Sequence, residues 1–256
     1  MSETPPALEA SDLTRRFGGF VAVDQVNFAV PDGEFRGIIG PNGAGKTTLF
    51  NLLMNALEPS SGRVALFGRD ITDLPEYERA HIGLARSFQS NQLFAEQSVF
   101  ENVRIVVQTI EQGPTAFDLL TGGRAIGRDR AAEVLDLLGL GTLADRKAKN
   151  LSHGDQRLLG IAMALATDPE VLLLDEPTSG MGPGETEETA DLIEEIHQDL
   201  ELTLLMIEHD MDVVLTMSDR ITVFHGGELL ATGTPSDIQA NQAVQEAYLG
   251  GMSEAF

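Results

Sequence analysis

Phe20, Ala22, Val26, Phe28 and Val30 put apolar side chains at alternate positions, interrupted only by Asp24, so residues 1–30 read as β-structure. Pro31-Asp32-Gly33 is a turn, and Phe35 to Ile39 is a short apolar run that enters a glycine loop. A helix is expected from about Gly45 to Leu57, ended by Ser60-Ser61-Gly62, with a strand over Arg63 to Phe67. Between Phe88 and Leu158 the period becomes helical, with segments Val99 to Glu111 and Arg128 to Leu138 punctuated by Gly113-Pro114 and Thr121-Gly122-Gly123. Val171 to Leu174 is continuously apolar, as a parallel strand buried on both faces requires. A helix (Glu185 to Leu200), a strand (Leu202 to Ile207), a helix (Asp210 to Met217) and a strand (Arg220 to Phe224) follow, and Gly226-Gly227 turns into Glu228 to Ala231. The pattern is an α/β core interrupted by a helical insertion, with no internal repeat. It predicts one domain, with a core lobe at about 1–88 and 159–256 and a helical lobe at about 89–158.

The 256 residues, 42% hydrophobic, suffice for a sizeable core. No apolar run is long enough to span a bilayer, and Met1 to Ala10 lacks a signal peptide's basic and apolar regions, so any membrane role is expected to be peripheral. With no cysteine there is neither a disulfide frame nor a thiolate metal site, which is compatible with a reducing compartment.

Charge adds a second theme. Asp and Glu number 40 against 17 Lys and Arg, a net charge of −23, and only Lys46, Lys147 and Lys149 are lysine. Such a surface repels nucleic acid and anionic lipid, so neither is expected as a direct partner. The scarcity of lysine favours adaptation to concentrated salt over ordinary acidity, because a Debye length of about 3 Å at 1 M relieves carboxylate repulsion.

Two motifs carry chemistry. Gly40-Pro41-Asn42-Gly43-Ala44-Gly45-Lys46-Thr47 satisfies the phosphate-binding loop G-x4-G-K-[ST], with a strand before it and a helix after it, and Thr48 continues it. Its glycines let backbone N–H groups surround a phosphate, and the following helix presents its positive end to the same anion. Lys46 is assigned to the β- and γ-phosphates of ATP, and the Thr47 hydroxyl to Mg²⁺. The second motif, Leu172-Leu173-Leu174-Asp175-Glu176, ends a strand in two acids. Asp175 is assigned to Mg²⁺ through water, as suits a hard cation. Glu176 is the candidate general base for the attacking water, a role worth about 10²–10⁴-fold.

These elements define a P-loop NTPase. Leu151-Ser152-His153-Gly154-Asp155-Gln156, just before the acidic strand, narrows the choice. Here the chain resembles the ABC transporter ATPases, whose signature is Leu-Ser-Gly-Gly-Gln at this location, and the resemblance covers nearly the whole chain. It implies a P-loop α/β core with an antiparallel β-lobe and an inserted helical lobe. It also implies that Phe17 stacks on adenine, with Phe20 as the nearest competitor. Gln89 would link Mg²⁺ and water to the transmembrane partner, and His209 would contact the γ-phosphate. Ser152 and the Gly154 N–H would complete a nucleotide site on a second ATPase subunit, this chain or a paralogue, in a head-to-tail dimer that loses its glue when the γ-phosphate is lost.

This chain departs from the family pattern at His153 and Asp155 in the signature. It also carries Gly182 where most relatives have an aspartate that reaches across the dimer. Within the family, Arg16-Phe17-Gly18-Gly19-Phe20, Gly83 to Gln89, Ile207 to Met211 and Ala247 to Gly250 are most similar to the ATPases of branched-chain amino-acid importers. That likeness implies transmembrane permeases as partners, an extracytoplasmic solute-binding protein served indirectly, and a place on the cytoplasmic face of the membrane. A permease helix would dock beside Gln89 to Phe100, with Leu93, Phe94, Val99 and Phe100 as its apolar contacts. The alternatives are a urea or amide importer, an exporter, a soluble ABC ATPase and a non-hydrolysing scaffold. A scaffold would normally lack Lys46 or Glu176.

Overall fold

The computed structural model describes residues 4–87, 92–112 and 127–249. The chain opens with β1 (Leu8–Phe17), β2 (Phe20–Val30), β3 (Phe35–Ile39), α1 (Lys46–Leu53), β4 (Ser61–Leu66) and β5 (Arg69–Asp70). Then come α2 (Glu76–His81), β6 (Leu84–Arg86), α3 (Val99–Gln112), α4 (Arg128–Leu137) and α5 (His153–Leu165). The remainder is β7 (Val171–Asp175), α6 (Pro183–Asp199), β8 (Thr203–Ile207), α7 (Met211–Met217), β9 (Arg220–His225), β10 (Glu228–Gly233), α8 (Pro235–Ala240) and α9 (Gln242–Leu249).

The central sheet has six strands in the order β10-β9-β3-β8-β7-β6, parallel except for the β9–β10 hairpin. Every residue of β3, β7 and β8 is buried, as strands covered on both faces are. The reading of Phe35 to Ile39 as an apolar run is corrected: Arg36 is buried within β3, where its guanidinium pairs with Glu34 and donates to Thr222 Oγ1. The second sheet is antiparallel, β2-β1-β4-β5, and is the expected β-lobe. Its inner face packs with Ile38, Leu173, Leu205 and the α1 residues Leu49, Phe50 and Leu53 in one core. On the other side of the central sheet a second core joins Phe35, Leu172 and Leu204 to α3, α4, α5, α6 and α7. Helix α5 packs against α3 and α4 and also against β6 and β7, so it ties the helical insertion to the sheet.

The first helix stops at Leu53, short of the expected Leu57, because Asn55 takes a left-handed φ of 56°. The hydrophobic pattern does not show the two-residue strand β5, α2, the three-residue strand β6, α8 or α9. For α8 the signal was present. Thr234 Oγ1 accepts from the Asp237 N–H and Asp237 Oδ2 accepts from the Thr234 N–H, a capping box with Pro235 at the first helical position. The expectation that Val99 lines a docking groove is corrected: Val99 is fully buried in the second core, and Phe100 packs partly against it. Among the described residues no helix is long and apolar enough to cross a membrane.

Candidate active site

The loops that follow β3, β8, β7 and β6 lie side by side at the carboxyl edge of the central sheet, where open α/β sheets place their ligands. Gly40 to Gly45 follows β3, Glu208 and His209 follow β8, Asp175 ends β7 with Glu176 after it, and Ser87 follows β6. One edge thus gathers the residues that the sequence scatters over 170 positions (40 to 209).

The phosphate loop has the backbone its motif requires. Gly40 has φ 152°, and a Cβ there would sit 2.2 Å from the Phe224 carbonyl oxygen. Gly45 has φ 108°, and its Cβ would sit 2.5 Å from the Ala22 carbonyl oxygen. No side chain fits at either position. The buried Lys46 donates to the carbonyls of Gly40 at 2.6 Å and Pro41 at 3.2 Å, which folds the loop over its ammonium group. Two of its three N–H donors serve the loop, so the third can meet an anion. Burial lowers the Lys46 pKa, and the carboxylates of Glu176 and Asp175 push it back up. Thr47 is exposed at the start of α1 and Thr48 is half-buried beside it.

Asp175 is buried at the end of β7, and its Oδ2 accepts from Arg86 Nη2. Arg86 Nη1 donates to Asn51 Oδ1 at 2.7 Å, so one guanidinium joins β6, α1 and β7. Glu176 has a left-handed φ of 51°, a costly conformation for a non-glycine residue. Its N–H donates to the Ile207 carbonyl at 2.8 Å and its own carbonyl accepts from Arg157 Nη1 at 2.6 Å. This clamped backbone turns the side chain towards His209, whose Nε2 lies 2.8 Å from Glu176 Oε1. Both side chains remain partly open to solvent. Gln89 lies outside the described residues.

The donors suit ATP with Mg²⁺. The glycine loop and Lys46 form an anion cradle, while the Thr47 hydroxyl and Asp175 carboxylate offer hard oxygen ligands. Among the described residues there is no cluster of three or more His, Cys, Asp or Glu that would hold a metal by itself, so phosphate and water oxygens would complete the coordination.

The ABC transporter family profile matches residues 23–179, which spans the phosphate loop, the signature and the acid pair. The chain is 43% identical to the high-affinity branched-chain amino acid transport ATP-binding protein LivG of Salmonella typhimurium, over 96% of this chain and 98% of that one. This chain belongs to the ABC transporter family. As a member it is an ATP-binding, ATP-hydrolysing transporter subunit. It is also 41% identical to the high-affinity branched-chain amino acid transport ATP-binding protein BraF of Pseudomonas aeruginosa, over 96% and 98% of the two chains. Residues 228–253 match a second family, the branched-chain amino acid ATP-binding cassette transporter. Among solved structures, the ADP conformation of an ATP-binding cassette of an ABC transporter superposes with a TM-score of 0.83 at 33% identity, covering 96% of this chain and all of that one. A dimeric post-hydrolysis cassette bound to ADP and Pi gives a TM-score of 0.76 at 26% identity, covering 89% and 98%.

The ABC signature sits at the N-terminus of the thirteen-residue helix α5. Ser152 caps it, with Oγ accepting from the Asp155 N–H at 3.1 Å. Capping uses an acceptor lone pair and leaves the hydroxyl proton available to donate. Asp155 in the first turn suits the helix dipole but places a negative charge beside the position where a phosphate would bind. Gly182, the other departure, caps α6 without a side chain; its N–H donates to Glu185 Oε2 at 3.1 Å. Phe17 closes β1 opposite Phe20, and both rings are exposed, 46% and 64%. Arg15 lies over the Phe17 ring at 4.6 Å, so one face of that ring already carries a cation. Sequence reasoning gave no role to Arg86, Arg157 or Glu208. Arg86 and Glu208 stood inside quoted motifs, but their contacts lie on other strands and loops.

Proposed function

We propose that this chain powers import of branched-chain amino acids as the ATP-hydrolysing subunit of a membrane transporter. The observation that carries the reading is the near-full-length similarity to LivG and BraF together with the C-terminal match over residues 228–253. In this reading the chain sits on the cytoplasmic face of the membrane, held by permease subunits and paired head to tail with a second ATPase subunit. A solute-binding protein on the far side delivers the amino acid, which never touches this chain.

At the catalytic edge, the loop from Gly40 to Thr48 and Lys46 hold the phosphates of ATP, and Phe17 stacks on adenine. Thr47, Asp175 and Gln89 would hold Mg²⁺, which would neutralise charge on the β- and γ-phosphates. Glu176 takes a proton from the attacking water at one carboxylate oxygen, while the other stays against His209 Nε2. His209 thereby orients the base and lies near the γ-phosphate. Ser152 Oγ–H and the Gly154 N–H meet the γ-phosphate of the opposite subunit, so hydrolysis loosens the dimer.

The test is reconstitution of the chain with its permeases and solute-binding protein in proteoliposomes. ATP-dependent uptake of radiolabelled leucine, competed by isoleucine and valine but not by urea or acetamide, is expected. Uptake competed only by the amides, or ATP-driven efflux, contradicts the assignment.

A further inference from the structure

Glu208 is 97% buried, yet the reaction as described does not use it. Its Oε1 accepts from the Thr178 N–H at 2.8 Å and the Thr178 Oγ–H at 2.6 Å. Its Oε2 accepts from the His209 N–H at 2.9 Å. Thr178 is itself buried, two residues after Glu176. One carboxylate therefore spans the loop after β7 and the loop after β8, bonding next to the proposed base on one side and to the backbone of His209 on the other.

Burying a carboxylate is costly, and three converging donors offset the cost only while both loops hold this arrangement. A stable core does not require such a group; an apolar residue would join the two strand ends without desolvating a charge. What the carboxylate adds is a fixed distance. The backbone link from the Glu176 N–H to the Ile207 carbonyl is one tie between these loops. A single tie permits rotation of one loop against the other; Glu208 supplies a second and removes it. With both in place, Glu176 Oε1 and His209 Nε2 are kept at 2.8 Å.

We propose that Glu208 is a positioning residue for hydrolysis, a clamp that fuses the two catalytic loops into one unit through Thr178 and the His209 backbone. The clamp rests on the reading of Glu176 and His209 as acting residues. Both carboxylate oxygens of Glu208 are taken by Thr178 and the His209 N–H, so its loss changes turnover and leaves binding intact.

The test uses purified full-length chain and four variants. Glu208→Gln keeps the shape but sets an amide NH₂ against either the His209 N–H or the Thr178 donors. Thr178→Val removes the hydroxyl donor from the other end, and Thr178→Ser restores it. Glu208→Gln and Thr178→Val should each lower kcat about 10- to 100-fold, as misplacement of reacting groups does. The KM for ATP and the affinity for a non-hydrolysable ATP analogue should stay within about twofold. Thr178→Ser should hydrolyse at near the wild-type rate, and the combined Glu208→Gln/Thr178→Val chain should be no slower than its slower parent. Wild-type kcat in Glu208→Gln, losses that multiply in the combined chain, or a raised KM at unchanged kcat each overturn the clamp. If Glu208→Gln does not fold, Thr178→Val and its serine rescue decide the matter. Glu176→Gln runs alongside: if it is inactive while the clamp variants are not slowed, only the clamp fails; if it hydrolyses normally, the reading of the site and the clamp fall together.

Discussion

Arg86 donates to the carboxylate of Asp175 with one guanidinium nitrogen and to Asn51 with the other, and both members of the ion pair are largely buried. The strand that ends in the proposed metal ligand is thereby tied to the strand that leads towards Gln89. Arg86→Ala leaves Asp175 buried without its cation, which should cost about 3 kcal/mol of stability. Urea unfolding without nucleotide measures it. A loss below about 0.5 kcal/mol would show the pair to be no stronger than a surface ion pair.

The pKa of Lys46 is lowered by burial. In the unfolded chain it returns towards 10.5, so between the two values the unfolded state binds more protons. The lysine therefore destabilises the fold at lower pH, and that penalty fades as pH rises through the depressed pKa. Lys46→Met should remove this rising component from the pH dependence of stability and should also abolish ATP binding. Urea midpoints across the alkaline range, wild type against variant, measure the first effect. Identical slopes would contradict it.

Phe94 is 45% exposed, but its backbone is held: its N–H donates to Asn102 Oδ1 at 2.8 Å and its carbonyl accepts from Asn102 Nδ2 at 3.1 Å. A buried asparagine thus presents an apolar ring to solvent, five positions after Gln89 in the sequence. Phe94→Glu should abolish co-purification with the permeases and leave ATP binding unchanged. Val99→Glu, deep in the core, should lose both together. Retention of the permeases by Phe94→Glu removes this residue from the docking surface.

Signals that lie within one stretch of sequence show in the sequence, and those that join distant stretches do not. The phosphate loop stands out by its glycine and lysine spacing, and Asp175 and Glu176 because β7 is apolar from Val171 to Leu174 and the acids come at its carboxyl end. Strand β6 does not stand out, since three residues carry no period. Arg86 and Glu208 could be quoted but not interpreted, because each acts through a partner remote in sequence: Asp175 for Arg86, Thr178 for Glu208. Helix α5 was assigned partly to each lobe because the helical period does not reveal that one helix packs against both α3 and β7.

The acidity of the chain carries a prediction about salt. Exposed carboxylates crowd one helix, with Glu185, Glu187, Glu188, Asp191, Glu195 and Asp199 all on α6. Two of the three lysines, Lys147 and Lys149, both pair with Glu96 at the surface. Salt weakens that exposed pairing, but it also screens repulsion among 40 acidic residues set against 17 basic ones, and the larger population decides the sign. The melting temperature should rise by several degrees from about 0.1 M towards about 1 M KCl. A flat or falling melting curve refutes halophilic adaptation.

In the proposed mechanism Glu176 takes a proton from the water that attacks the γ-phosphate of ATP held by the loop around Lys46, and hydrolysis releases a dimer. Glu176→Gln with ATP and Mg²⁺, followed by size-exclusion chromatography and phosphate release on the same sample, tests it directly. Nucleotide binding should be retained, phosphate release should fall by about 10²–10⁴-fold, and the chain should elute as an ATP-bound dimer. Wild-type phosphate release by the variant, or a monomer with ATP bound, would contradict it.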